Sequence, residues 1–432
     1  MRIHWFSPLS PAHTAIADYT GRLLPALSAR AEVTLWTDQP HWYSHLERYA
    51  AVRRFDPRNF PWEASHDGAA FYNIGNNAQF HRAIGQVARQ FPGFAIMHDV
   101  LLHDSVSSDY RERNDRAAYL DLMQSLYGDR GRRDGALYWE GVLSLLQLSR
   151  LYSCAPFFLE SSLGAIVHSR AAERALAKEV NVPVIRLPLP FPARAQGVRP
   201  PSLGGAARNG PPWKLVVFGF LGLNRCLEQI LTALARLEDS RFRLHIYGEI
   251  EERGRKVALI EQLGLADRVT LHGFVPEVEL DAALASAHLA LNLRYPTKGE
   301  ASYSQLRIWR HGLPSLVTRI GWYAELPPGI VSFVRPGFLV EDLCTHLQAY
   351  AAQSAGYVES GLRGYEYFVE RHAPARYAAK IVELAGQAAA YRRRWNALRL
   401  SGRAAEGLQG WFPSGKLEGY VERIAGVVSE LS

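Results

Sequence analysis

Short apolar runs alternate with amphipathic stretches along the first half of the chain. Arg2–Phe6 and Val33–Trp36 read as strands, and Ala15–Ala29 between them carries apolar residues at helical spacing. Phe94–Met97, Ala165–Val167 and Val184–Leu187 read as further buried strands. This βαβα rhythm predicts a mostly parallel sheet covered by helices. The stretch Asp109–Leu159 has a helical pattern and predicts a helical elaboration of that first domain. Proline and glycine then interrupt the rhythm across Pro190–Pro212, a linker composition. Beyond it the alternation restarts. Lys214–Phe218, Arg243–Tyr247, Arg268–Leu271, Leu289–Leu293, Ser315–Thr318 and Ile330–Phe333 read as strands, with helices at Leu227–Leu237 and Leu280–Ala287. The second half is therefore expected to be another doubly wound α/β domain. After Pro374 the pattern is helical and basic.

The pattern sets boundaries of 1–190 for the first domain, 191–212 for the linker and 213–385 for the second domain. A helical extension over 386–432 is expected to pack back on the first domain. A length of 432 residues suits two domains. No run of about 18 apolar residues marks a membrane span, and the first residues read as a strand rather than a leader. Three scattered cysteines, Cys154, Cys226 and Cys344, suggest neither a disulfide framework nor a metal site, and a cytoplasmic location is expected. The formal charge of +7 fits phosphate-bearing ligands or an anionic membrane surface. No nucleic-acid module is present in the sequence, and no nucleic-acid partner is expected. Around Trp395 the run Arg392–Arg394 with Arg399 admits peripheral contact with a membrane, or only a solvated helix face.

In open α/β sheets ligands bind beyond the carboxyl ends of the strands. After Lys214–Phe218 the chain runs Gly219-Phe220-Leu221-Gly222-Leu223-Asn224-Arg225 into a helix. Its glycines, the helix start and Arg225 suit a pyrophosphate, although a plain βα turn reads the same way. It is neither a Walker loop nor a dinucleotide fingerprint. After Leu289–Leu293 a loop with Lys298 and Glu300 leads to Ser302-Tyr303-Ser304, with Arg307 one turn on. The Ser302–Ser304 amides would face an anion, and Lys298 and Arg307 add positive charge. Glu300 would accept from ribose or sugar hydroxyls, and Ser302 or Ser304 would cap the helix expected from about Gln305. In the first domain, Phe94–Met97 delivers His98-Asp99, followed by His103-Asp104. His98 would face a substrate hydroxyl, bond the backbone or, with the second pair, hold a metal for which a further ligand cluster is missing. The first loop, Ser7 to Tyr19, forms an acceptor-side wall with Thr14 as a helix cap; Asp18 and Tyr19 either line it or are only first-turn residues.

Several of these segments together resemble the retaining glycosyltransferases of the GT-B fold, glycosyltransferase family 4 (group 1). They are Ser7-Pro8 with Thr14–Tyr19, Met97-His98-Asp99 with His103-Asp104, and Ile166-Val167-His168-Ser169. In the second half they are Gly219-Phe220-Leu221 with Arg225, Val269–Val275, and Gly299–Ser302 with Gly312–Val317. The resemblance spans roughly residues 1–385. It implies an α/β GT-B architecture of two Rossmann-like doubly wound domains facing across a cleft. It also implies transfer of a sugar, with retained anomeric configuration, from a nucleoside-diphosphate donor such as GDP-mannose or a UDP-sugar. Neither a metal nor another cofactor is implied, and the acceptor would be a glycan or lipid-linked glycan of a bacterial surface polysaccharide. By position, the donor would meet Gly222, Arg225, Gly248, the backbone of Phe274 and Val275, Lys298, Ser302, Tyr303, Ser304 and Arg307. His98 and Glu300 would serve catalysis, and Thr14, Asp18, Tyr19 and His103 would line the acceptor side. Three positions depart from the pattern. Phe220 stands where many members carry Arg or Ser, Arg225-Cys226 replaces Lys-Gly, and Ile308 replaces a second glutamate. A non-catalytic partner in a polysaccharide assembly complex, or an epimerase or phosphorylase on the same fold, is the competing reading.

Overall fold

A computed structural model describes residues 1–60, 67–194, 210–408 and 423. The chain forms two compact units. The first comprises Met1–Val167, Ala175–Leu187 and the chain from Ala378 onward; the second comprises His168–Arg174 and Pro188–Tyr377. Most of the proline- and glycine-rich stretch, and the residues after 408 apart from Arg423, lie outside the described residues.

The first unit holds a sheet of seven strands: β1 (Arg2–Phe6), β2 (Glu32–Thr37), β3 (Ala51–Arg54), β4 (Ala69–Ile74), β5 (Gly93–Met97), β6 (Ser162–Val167) and β7 (Val184–Arg186). All neighbours are parallel, in the order β3-β2-β1-β4-β5-β6-β7. β4, β5 and β6 are buried at every position, as expected for strands covered on both faces. Its helices are α1 (Ala15–Ser28), α2 (Ala78–Gln90), α3 (His103–Glu112), α4 (Arg116–Trp139), α5 (Leu145–Leu151) and α6 (Ala155–Leu159). α4 is broken at Gly128, whose φ of 68° lies outside the helical region. α7 (Arg170–Leu176) follows β6.

The second unit has six parallel strands: β8 (Trp213–Phe218), β9 (Phe242–Tyr247), β10 (Val269–Gly273), β11 (Leu289–Leu291), β12 (Ser315–Thr318) and β13 (Ser332–Val334). Their order is β10-β9-β8-β11-β12-β13. Helices α8 (Leu227–Leu237), α9 (Arg253–Gln262), α10 (Glu277–Ser286), α11 (Tyr303–Arg310), α12 (Leu339–Ala352) and α13 (Ala355–Arg371) surround it. α8 shows how the sequence dictates this packing. Leu227, Ile230, Leu231 and Leu234 recur at helical spacing and are buried against Leu215, Leu244 and Ile246 of the sheet. The last helix, α14 (Pro374–Leu408), begins in the second unit and continues in the first. In the first unit its Tyr391 meets Phe94 of β5 edge-on, with ring centroids 5.1 Å apart.

Both sheets reverse their strand order once, between β1 and β4 and between β8 and β11. A parallel α/β sheet opens a crevice at such a reversal, at the carboxyl ends of the strands. The candidate side chains that follow β8 and β11 lie at the second of these reversals. β3, β4 and α2 go beyond the elements legible in the apolar pattern. β4 carries two alanines and Asn73, and so lacks a continuous bulky run. β11 stops at Leu291 rather than Leu293, with the Asn292 amide still bonded to Leu316 O of β12 at 2.9 Å, and α3 starts at His103 rather than near Asp109.

Candidate functional site

In the second unit three glycines line the carboxyl ends of adjacent strands with positive φ: Gly219 (104°), Gly248 (116°) and Gly273 (69°). The Gly219 amide donates to Tyr247 O at 3.0 Å and the Gly248 amide to Gly273 O at 2.6 Å. A Cβ on Gly248 would stand 2.1 Å from Gly219 O, so only glycine allows this backbone approach. The loop after β8 is further tied to the loop after β9, because the Leu221 amide bonds Glu249 O at 2.8 Å. Gly222 opens the short turn Leu223–Arg225, whose Leu223 amide bonds the Glu251 carboxylate at 3.0 Å.

Arg225 lies beneath that turn, 4% exposed. Its guanidinium donates to Phe218 O at 2.7 Å and to Asn292 Oδ1 at 3.2 Å, while Nε has no hydrogen-bond partner. Burial, and then the neighbouring charge of Arg294, push this guanidinium down to about 10. Desolvation is the reason, since it disfavours the charged form. Asn292 joins the cation to α11: its Nδ2 donates to Ser302 Oγ at 3.3 Å and to Gln305 Oε1 at 3.0 Å. Gln305 in turn donates to Ser315 Oγ at 2.8 Å. Ser302 is the N-cap of α11, accepting from the Gln305 amide at 3.2 Å. Ser304 Oγ and an Arg225 guanidinium nitrogen lie 3.8 and 3.9 Å from where a Cβ on Gly219 would stand. A hydroxyl of the first turn of α11 and a buried cation thus stand beside one glycine, near a helix start, surroundings that favour an anion.

Glu300 is held from three directions. Arg294 (2.9 Å) and Thr297 Oγ1 (3.0 Å) donate to its carboxylate, as does the Lys298 amide (2.6 Å). This knits the loop from Arg294 to Gly299, which contains the cis bond Tyr295-Pro296. Phe274 stands 64% exposed after β10, while Val275 packs against Val216, Phe218 and Tyr247. Tyr303 packs on Phe191. Arg307 is directed elsewhere, to α10: its guanidinium reaches Asp281 at 2.8 Å and Glu277 O at 3.0 Å. Arg310 and His311 also bond Asp281, at 3.0 and 3.1 Å. Burial alone would raise the Asp281 carboxyl. The bond from His311 and the charge of Arg307 outweigh it and hold the group well below the usual carboxylate range.

In the first unit the reversal point holds Asn73 and His98. Asn73 Nδ2 donates to Phe6 O at 2.9 Å, which fixes Oδ1 as the acceptor. His98 Nε2 lies 2.9 Å from that oxygen and is therefore the donor. Tyr19, 1% exposed, meets the His98 ring edge-on at 4.9 Å and stacks on Trp5. Asp99 caps the preceding loop, accepting from the Asn76 amide at 2.9 Å. Thr14 caps α1 by accepting from the Ile16 amide, and Asp18 is exposed in the first turn.

His103 corrects the expectation of an acceptor-side contact. It is fully buried among α3, α4 and the chain before α6, with Nδ1 on Tyr152 O at 3.0 Å and Nε2 on the Tyr119 hydroxyl at 2.7 Å. Burial, only partly opposed by the bond to Tyr152, pushes its imidazole down to about 4. The His98-Asp99 and His103-Asp104 pairs do not form a metal site. Among the described residues no group of three or more His, Cys, Asp or Glu side chains could hold an ion.

Asn292, Gln305, Arg294, Thr297 and Asn73 belong to these clusters and were not singled out from sequence. The available signal was a polar residue set inside an apolar buried run, as in Leu291-Asn292-Leu293 and Tyr72-Asn73-Ile74.

The family described as "Glycosyl transferases group 1" matches residues 205–299, which carry the Gly219 turn, Arg225, Asn292 and the loop up to Gly299. No curated protein matches the chain. Among solved structures, HepE from Anabaena, in complex with UDP and glucose, is 14% identical with a TM-score of 0.61, covering 89% of this chain and 99% of its own. Sucrose-phosphate synthase from Thermosynechococcus elongatus is 18% identical with a TM-score of 0.59, covering 89% and 98%. WaaG, a glycosyltransferase involved in lipopolysaccharide biosynthesis, is 16% identical with a TM-score of 0.57, covering 88% and 98%. By fold the chain is of the GT-B kind, and its residues 205–299 match the model of the group 1 glycosyl transferases.

Proposed function

We propose that this chain is a retaining, metal-independent glycosyltransferase that moves a sugar from a nucleoside-diphosphate donor to a glycan or lipid-linked glycan. One observation carries the reading: Ser304 Oγ, in the first turn of α11, and the buried Arg225 guanidinium both stand beside Gly219. A departing diphosphate develops negative charge, and fixed dipoles with a desolvated cation stabilise it without reorganising. Arg225 acts by its charge from beneath the turn, since its terminal nitrogens are already bonded within the protein. Glu300 acts for the donor sugar through the loop it organises. The exposed Phe274 ring and the backbone around Val275 stand on the base side. His98, with its donor nitrogen fixed by Asn73, serves the acceptor side.

The UDP held by HepE makes a UDP-sugar the first donor to try, with GDP-mannose next. A thermal-shift screen against UDP, GDP and ADP, followed by hydrolysis of the matching nucleotide-sugars, tests the reading. No stabilisation and no turnover with any of them would refute it. Phe220, 66% exposed in the Gly219 turn, supports a second reading, that of a non-catalytic assembly partner. That reading expects nucleotide binding without turnover, and unchanged glycan output with His98→Ala.

Among the described residues no helix is long and apolar enough to cross a membrane. Peripheral contact remains part of the proposal. It is supported by exposed Leu398 and Leu400 on α14 beside Arg393, Arg394 and Arg399, the last stacked on Trp395 at 4.9 Å. Co-sedimentation with phosphatidylglycerol vesicles, lost in an Arg393→Glu/Arg394→Glu variant, is the expected result.

A further inference from the structure

The first unit contains a trough that the donor chemistry does not use. Its larger part is a cavity of about 490 Å³ beyond the carboxyl ends of β2 and β3, between Asp38, Asp56 and the exposed side of α2. A smaller cavity of about 130 Å³ adjoins it, sharing Arg82 and Gln86 as wall and ending on Tyr110, Phe157 and Phe158. Together they follow α2 from Ala78 to Arg89, about 16 Å at the helical rise.

The chemistry changes along this length. At the sheet end the walls are polar. Asp56 is paired with Arg58 at 3.0 Å, and Arg82 is paired with Asp109 at 2.7 Å and also bonds Glu112. These charges neutralise one another. Asp38 is different: it is half-buried, and no side chain among the described residues bonds its carboxylate. Burial pushes its carboxyl upward, against the backbone bond and the nearby Arg54. The exposed amides of Gln79 and Gln86 add donors and acceptors. At the far end the walls are aromatic, with Arg89 laid over the Phe157 ring at 3.8 Å and Arg113 over Tyr110 at 4.7 Å. α2 can come this close to α6 only because position 85 is glycine. A Cβ there would meet the Phe158 ring at 2.6 Å.

A half-buried carboxylate that no other side chain among the described residues bonds, flanking amides, and walls built of aromatic rings and the arginines laid on them suit a chain of pyranoses. Hydroxyls bond the polar groups, and the apolar sugar faces lie against the aromatic and arginine walls. Internal pairing leaves no dominant charge, which selects against a polyanion. We propose that this trough binds a neutral oligosaccharide several residues long, holding the body of the acceptor glycan while its end is extended. The place in catalysis rests on the glycosyltransferase reading; the binding itself does not.

The test is the binding of α-glucan and α-mannan oligosaccharides of two, four and six residues, immobilised by their reducing ends. Wild-type protein should bind one series with an affinity that rises with length. Asp38→Asn and Phe157→Leu should each weaken hexasaccharide binding at least about 5-fold, and the thermal shift with nucleotide should stay at its wild-type value. Gln79→Ala and Gln86→Ala, at exposed positions, supply variants whose folding is not at stake. No wild-type binding to any member, or binding unchanged in all four variants, overturns the proposal. Absence of nucleotide binding and turnover with oligosaccharide binding intact would instead overturn the glycosyltransferase reading and leave the trough standing.

Discussion

Replacing Arg225 by alanine isolates the central electrostatic claim. The side chain makes two hydrogen bonds inside the protein, to Phe218 O and Asn292 Oδ1. Its loss therefore has two separable effects. The folded state loses bonds to two acceptors that stay buried, at about 1–3 kcal/mol each, partly offset by relief of the buried charge. Nucleotide binding loses a cation beneath the diphosphate, worth about 1.5–3 kcal/mol, or roughly a 10- to 150-fold rise in Kd. A thermal-shift titration separates the two. The unliganded Tm reports the first, and the added shift with ligand reports the second. At a nucleotide concentration of about 100 times the wild-type Kd, ligand adds about 2.7 kcal/mol to the wild type. In the variant the same concentration should add only about 0.3–1.4 kcal/mol. Arg225→Lys should recover part of the ligand-induced shift, because it returns a charge without the fork. A variant with lowered unliganded Tm but the full ligand-induced shift would refute the reasoning, and Arg225 would be a structural brace alone.

Other residues yield equally direct expectations. His98→Ala should lower turnover at least about 100-fold with little change in donor affinity, within the range for a positioned proton carrier; wild-type turnover would remove His98 from the site. Gly248→Ala forces a Cβ onto Gly219 O at a φ of 116°, and should abolish the nucleotide thermal shift and lower stability by more than about 1 kcal/mol. Asp281→Asn leaves Arg307, Arg310 and His311 without their common anion. After allowance for its partial exposure it should cost about 2–3 kcal/mol in denaturant unfolding, and wild-type stability would show the cluster to be idle. His4, His81, His103 and His372 are each pushed down to about 4, chiefly by burial. The unfolded chain binds protons more readily at these sites, so their stabilising effect is complete above about pH 6.5 and is lost as pH falls towards 4. Urea midpoints should drop through that window, and His103→Gln should flatten the dependence by about one proton. An unchanged slope in that variant would contradict its buried, neutral state.

The sequence was informative where one physical rule governed a segment. α8 was legible in full because its buried leucines follow the helical period without interruption. The strand-end rule singled out Gly219, Arg225 and His98, and the structure sets them in the chain just after β8 and β5. Legibility failed where two rules met. Asn73 interrupts an apolar run because it is needed to bond Phe6 O and orient His98, so β4 lost its strand signature at the residue that matters. His103 misled for the opposite reason. A histidine beside an aspartate reads as chemistry, yet its partners Tyr119 and Tyr152 lie 16 and 49 residues away and give no local trace. Arg307 is similar, since Asp281 stands 26 residues before it, on another helix.

Asn292 has a further implication for engineering. One amide bonds the cation under the glycine turn, the cap of α11 and Gln305. These groups therefore cannot be tuned separately. A library randomised at Asn292, Ser302 or Gln305 should return few folded members, and those should carry compensating changes at the other two. On the proposed donor site, preference would instead be varied at Phe220 and Phe274, whose exposed rings lie outside this joint. The division separates a fixed grip from an adjustable rim, and it says where selection for a new sugar nucleotide should begin.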